Sequence, residues 1–194
     1  MSSDKLIEEF TEVLVSEAKP LAGECFREVE LEWVHPDDVV SGEGTFLKGN
    51  RFVPAGTHAV YASASEETAL QEYKYGQAKT YGRFLKPNVP HTTYPLQIEV
   101  DRCADLQKHV TNPKFADLIK GVLTPGDHSA SHVLGKQLIK KGIQAILYPS
   151  VIPGHTGTNI VCILDSAPPP VVEVRNRADI VKLIQKAGAK PLIK

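Results

Sequence analysis

Arg51, Tyr61 and Glu72 are side chains whose types and spacing are suited to chemistry, and they share one stretch, EGTFLKGNRFVPAGTHAVYASASEETALQEYKYG, over residues 43–76. Arg51 follows Gly44 and Gly49 and precedes Gly56. Glycine lets a backbone approach a ligand closely, and a guanidinium grips phosphate oxygens in a bidentate fork. Glu72 falls with Ala69, Tyr73 and Gly76 at i, i+3, i+4 and i+7 spacing, which is one face of a helix. A carboxylate on the inward stripe needs a partner or a site, because burying it alone is costly. Two readings stand at this level: a buried Glu72–Arg51 ion pair that braces the fold, or a pair that lines a ligand cavity.

The elements that must position these residues follow from local patterns. Residues 43–50 read as a Gly-rich loop, and residues 58–63 (HAVYAS) as a short strand. Ser63 with Glu66 three residues later spells a capping box, so a helix is expected to open at Ser63. Upstream, residues 4–19 place Leu6, Phe10, Val13 and Leu14 on one stripe, an amphipathic helix stopped by Pro20. Residues 1–24 are therefore expected to form an N-terminal helical extension. Residues 25–34 have strand character, with Arg27 near their head, and His35-Pro36-Asp37-Asp38 reads as a turn.

Downstream, residues 86–95 hold three prolines and read as a loop. Leu96, Ile98 and Val100 then alternate with polar residues, the period of a half-buried strand. Asn112-Pro113 opens a short helix, and residues 129–141 form another, closed by Gly142. Two apolar strands, 143–148 and 159–164, are joined by PSVIPGHTGT, which carries Ser150. Residues 168–194 break at three prolines and then give a VVEV strand and a helix over 176–187. Short strands and helices out of strict alternation predict an α+β fold, read as a single domain over residues 1–194.

Composition narrows the function classes. Lys+Arg 22 against Asp+Glu 23 gives a net charge of −1, without the basic excess of a nucleic-acid binder. No apolar run is long enough for a bilayer span, and the first residues, MSSDKLIEEF, lack a secretory pattern. Cys25, Cys103 and Cys162 show no CxxC spacing and suit a reducing cytoplasm. His128 and His132 stand at i, i+4 without an HExxH motif, so no metal is assigned. Gly42, Gly44 and Gly49 precede no GK[ST], and Ser150 lies outside any GxSxG elbow.

RFVPAGTHAVYASASEETALQE resembles the signature of RES-domain proteins, the toxins of RES–Xre toxin–antitoxin pairs. GIQAILYPS followed by GTNIVCIL is similar to that family's second block, in which Pro-Ser ends one strand and Gly-x-Asn opens the next. Where the family usually has Gly-Arg-Trp-Asn, this chain has Asn50-Arg51-Phe52-Val53. The resemblance implies an ADP-ribosyltransferase-like core of short mixed or antiparallel strands with flanking helices. It also implies that NAD is the substrate, cleaved at the nicotinamide–ribose bond by hydrolysis or phosphorolysis; the alternatives are ADP-ribosyl transfer to a protein, or a catalytically weak nucleotide-binding or partner-binding domain, which the atypical residues around Arg51 and Ser150 suggest. The family's Arg, Glu and Ser map to Arg51, Glu72 and Ser150, with Tyr61 as the aromatic companion; Arg27 and Asn159 join Arg51 and Tyr61 in holding the dinucleotide. The implied partner is an Xre-type antitoxin, with self-association left open.

Overall fold

The computed structural model describes residues 3–81 and 90–186. Its order begins with helix α1 (Ser3–Ser16), strand β1 (Lys19–Glu30), a 3-10 turn (Leu31–Trp33) and the short helices α2 (Pro36–Val40) and α3 (Glu43–Lys48). Strand β2 (Ala59–Ser63), helix α4 (Glu66–Tyr81) and the long strand β3 (His91–Asp105) follow. After a 3-10 turn (Leu106–His109) come α5 (Ala116–Val122), α6 (Ser129–Lys140), β4 (Ala145–Pro149), β5 (Thr158–Ile163), β6 (Val171–Val174) and α7 (Arg177–Lys186). The α+β expectation holds.

The strands form one mixed sheet in the order β1-β2-β5-β4-β3-β6, and β1 also pairs with β3. Five strands therefore close a circuit, with β6 outside it. The β1–β3 ladder is long, running from Lys19↔Cys103 to Glu30↔His91. The β1–β2 junction is a single pair, Phe26↔Ser63. The β3–β4 pairing is parallel, and β2–β5 and β4–β5 are antiparallel.

Period-2 alternation sends the side chains of β2, β4 and β5 to two cores. Ala59, Ile146, Tyr148, Val161 and Ile163 pack with α1, α5 and α6 through Phe10, Leu14, Ile119 and Leu134. Val60, Ala62, Ala145, Ile160 and Cys162 face the other cluster, with Leu96, Ile98 and Val100 of β3. Helix α1 is part of the first core, since Ile7, Phe10 and Leu14 are buried in it.

Several local expectations change. The helical extension expected over 1–24 is helix only to Ser16, and from Lys19 the chain is already strand. The Gly-rich loop at 43–50 is helix α3: Gly42 enters it at φ 72° and Gly49 ends it at φ 69°, so these glycines punctuate a helix rather than cradle a ligand. His35-Pro36-Asp37-Asp38 opens α2, with proline at the first helical position. Helix α4 is capped by Ser65, whose Oγ accepts from Thr68 N at 3.1 Å, and not by Ser63, which belongs to β2. Residues 91–95 are strand because β1 offers them a backbone ladder that overrides the prolines; residues 86–89 of the expected loop lie outside the described residues.

Candidate functional site

The face of α4 that carries Ala69, Glu72, Tyr73 and Gly76 covers a cavity of about 350 Å³. Its other walls come from Arg27 and Glu28 on β1, Arg51, Tyr61 and Ser63 around β2, and Tyr148 and Asn159 at the ends of β4 and β5. The strand residues assemble by register. Ser63 pairs with Asn159, and Asn159 with Tyr148, so the three lie in a row across β2, β5 and β4.

Glu72 is the hub of this row. Asn159 Nδ2 donates to Glu72 Oε1 at 2.6 Å, and Ser150 Oγ donates to the same oxygen at 2.7 Å. Ser63 Oγ in turn donates to Asn159 Oδ1 at 2.7 Å, which fixes the amide. The carboxylate is thus pinned through one oxygen, while Oε2 has no hydrogen-bond partner among the described residues. Such a carboxylate has a set orientation and one oxygen left for a ligand.

Arg51 is 7 % exposed and sits in a tight turn in which Asn50 and Val53 exchange backbone hydrogen bonds. Its Nη1 donates to Val122 O at 3.3 Å and Thr124 O at 3.2 Å, the carbonyl-rich end of α5, where a cation is favoured. Its other guanidinium nitrogens have no hydrogen-bond partner among the described residues, and the side chain lines the cavity. Of the two readings, the bracing Glu72–Arg51 ion pair does not form: the acid is taken by Ser150 and Asn159, and the guanidinium by the helix end. Helical spacing places Glu72 inward but gives no information on which neighbour it meets.

Tyr61 lines the cavity, and its hydroxyl accepts from Phe52 N at 3.1 Å, tying β2 to the arginine turn; burial raises its pKa above the ordinary tyrosine value. Arg27 spans the gap beyond the single β1–β2 pair, its Nη1 donating to Tyr61 O at 3.5 Å. Burial lowers its pKa to about 10, which leaves it cationic at neutral pH. Glu28, whose side chain is 2 % exposed, is held by Thr93 Oγ1 at 2.5 Å and by His91 Nδ1.

All six residues singled out from the sequence therefore meet here: Arg27, Arg51, Tyr61, Glu72 and Asn159 line the cavity, and Ser150 touches it through Glu72. Sequence reasoning missed Ser63, Tyr148 and Glu28. A signal for Tyr148 was present, since it ends the strand expected over 143–148, two residues before Ser150. The candidate histidines are otherwise engaged: His132 Nε2 contacts Asn50 O at 2.9 Å, and its ring lies edge-on to His128.

A family model described as the RES domain matches residues 24–184. The chain belongs to the RES-domain family. This RES domain also shares its fold with a chain in the crystal structure of the M. tuberculosis MbcT–MbcA toxin–antitoxin complex, at TM-score 0.63, 17% identity, and coverage of 94% of this chain and 98% of that one. At that identity the likeness is one of fold. No curated protein sequence matches the chain. Among the described residues, no helix of this RES domain is long and apolar enough to cross a membrane.

Proposed function

We propose that this RES domain is the toxin of a toxin–antitoxin pair and acts by cleaving the nicotinamide–ribose bond of NAD. The observation that carries the reading is the pinned Glu72 carboxylate, with Oε2 free of partners among the described residues and the Arg27 and Arg51 guanidinium groups in the same cavity walls. The family and the fold shared with a toxin–antitoxin complex support the toxin half of the reading.

The chemistry is heterolytic. The C1′–N bond breaks with its electron pair leaving on nicotinamide, which departs as a neutral base, and the ribose carbon takes on oxocarbenium character. A fixed carboxylate beside that centre lowers the barrier electrostatically, with no reorganisation at the moment of reaction. Ser150 and Asn159 hold Glu72 for this role. Arg27 and Arg51 grip the pyrophosphate, Tyr61 offers a ring face to nicotinamide, and water or inorganic phosphate attacks C1′. An Xre-type antitoxin blocks the activity in the cell.

The test is nicotinamide release from NAD by the purified chain, with and without phosphate, compared with Glu72→Gln. The amide keeps one acceptor oxygen and the fold but loses the charge, so release is expected to fall by about 100-fold or more, the scale of losing a fixed electrostatic contact. Wild-type rates in the folded variant remove the carboxylate from the mechanism. In a parallel reaction with radiolabelled NAD and added cell lysate, label appearing on protein in place of free product redirects the reading to ADP-ribosyl transfer.

A further inference from the structure

We propose that Tyr148 is a substrate-binding residue whose hydroxyl donates a hydrogen bond to a ribosyl hydroxyl of the ligand beside Glu72. The inference rests on the NAD reading and names a contact that reading leaves without a residue. Tyr148 is 6 % exposed, and the cavity is one of the few places its surface meets. Its hydroxyl has no hydrogen-bond partner among the described residues, yet no buried side-chain oxygen or nitrogen among them is left unsatisfied and closed off. The phenol oxygen therefore opens onto the cavity.

Position explains which part of a ligand it meets. Tyr148 is the cross-strand neighbour of Asn159, which donates to Glu72, and it stands two residues before Ser150, which follows the end of β4 and donates to the same oxygen. The ring is held edge-on against Phe52, with centroids 4.9 Å apart, so its hydroxyl has a fixed direction. Tyr61, by contrast, has its oxygen committed to Phe52 N. A phenylalanine would fill the same volume without burying a polar atom, so packing alone does not account for the hydroxyl. Burial, with Tyr61 and Glu72 nearby, keeps the phenol protonated well above the ordinary tyrosine value, so it is a donor and not a base. The group facing Glu72 in the proposed reaction is the nicotinamide ribose, whose hydroxyls donate to the carboxylate and accept from the Tyr148 phenol.

The experiment compares wild type with Tyr148→Phe for binding of ADP-ribose and, separately, of nicotinamide, by calorimetry, with thermal unfolding as the fold control. The variant loses no protein hydrogen bond, so its melting temperature should match wild type. ADP-ribose should bind about 3- to 10-fold more weakly, the worth of one neutral hydrogen bond, while nicotinamide affinity stays the same. Equal ADP-ribose affinity in the two proteins overturns the proposal, and so does a loss confined to nicotinamide, which would put the hydroxyl on the base. A wild-type protein that neither binds ADP-ribose nor cleaves NAD overturns the NAD reading itself, an outcome distinguishable from both. Should Tyr148→Phe lower the melting temperature, ADP-ribose protection against thermal unfolding is read for each protein against its own unliganded midpoint, and equal protection counts against the contact.

Discussion

Gly135→Ala should disturb the site from behind, without touching the cavity. Gly135 lies in α6, and a Cβ built there would stand 1.8 Å from Phe52 O, 2.8 Å from Phe52 C and 3.2 Å from Phe52 Cα. Ordinary van der Waals contact begins at 3.4 Å, so helix and turn must part by 3.4 − 1.8 = 1.6 Å along that contact. The obstacle is backbone and cannot swing aside as a side-chain tip would. Overpacking costs about 1–3 kcal/mol, and a main-chain clash belongs near the top of that range. At about 2–4 °C per kcal/mol for a domain of this size, roughly 3 kcal/mol lowers the melting temperature by about 6–12 °C. The turn that moves carries Arg51, so NAD cleavage should also fall in protein that remains folded at the assay temperature. Circular dichroism melts and nicotinamide release measure the two effects. Gly121→Ala is the control: it lies in α5, and its added Cβ meets nothing within 4 Å. A Gly135→Ala protein with wild-type midpoint and rate would refute the close approach and its coupling to the arginine turn.

Two further outcomes are expected. Asn159→Ala strips partners from both Ser63 Oγ and Glu72 Oε1, so a urea titration should show a loss of about 1–3 kcal/mol, and cleavage should fall because the carboxylate is no longer fixed from two sides. Burial raises the thiols of Cys25 and Cys103 from 9.0 to about 12 in the folded chain, so the unfolded state loses protons first as pH rises. Stability is therefore fully present below about pH 9 and declines toward pH 12, and a urea midpoint at about pH 10.5 that equals or exceeds the midpoint at about pH 8 would contradict this.

Much of the site was legible because helix and strand periods are local. The 3.6-residue spacing put Ala69, Glu72, Tyr73 and Gly76 on one face, and that face covers the cavity. Alternation in β3 likewise identified Leu96, Ile98 and Val100 as buried. What the chain's local pattern withheld was partnership. The glycines around α3 fit a loop as well as a helix with glycine at each end, and only packing under β2 decides between them: Thr45 Oγ1 accepts from Ala59 N at 2.8 Å. Ser63 and Ser65 both precede a helix at cap-like positions, and Ser63 is lost to β2 because β5 supplies its ladder. The Arg51–Glu72 pairing failed for the same reason, as α5 and the β4–β5 ends are distant in sequence. Tyr148 escaped notice because an aromatic in an apolar strand reads as core until its cross-strand neighbour is known.

The single Phe26↔Ser63 pair has a mechanical consequence. A closed circuit of strands yields where the fewest backbone bonds must break, and here that line runs along the cavity wall, spanned beyond the pair by the Arg27 guanidinium reaching Tyr61 O. Any widening that admits a ligand can thus be taken up along one hinge-like edge, while the long β1–β3 ladder and both cores keep their registers.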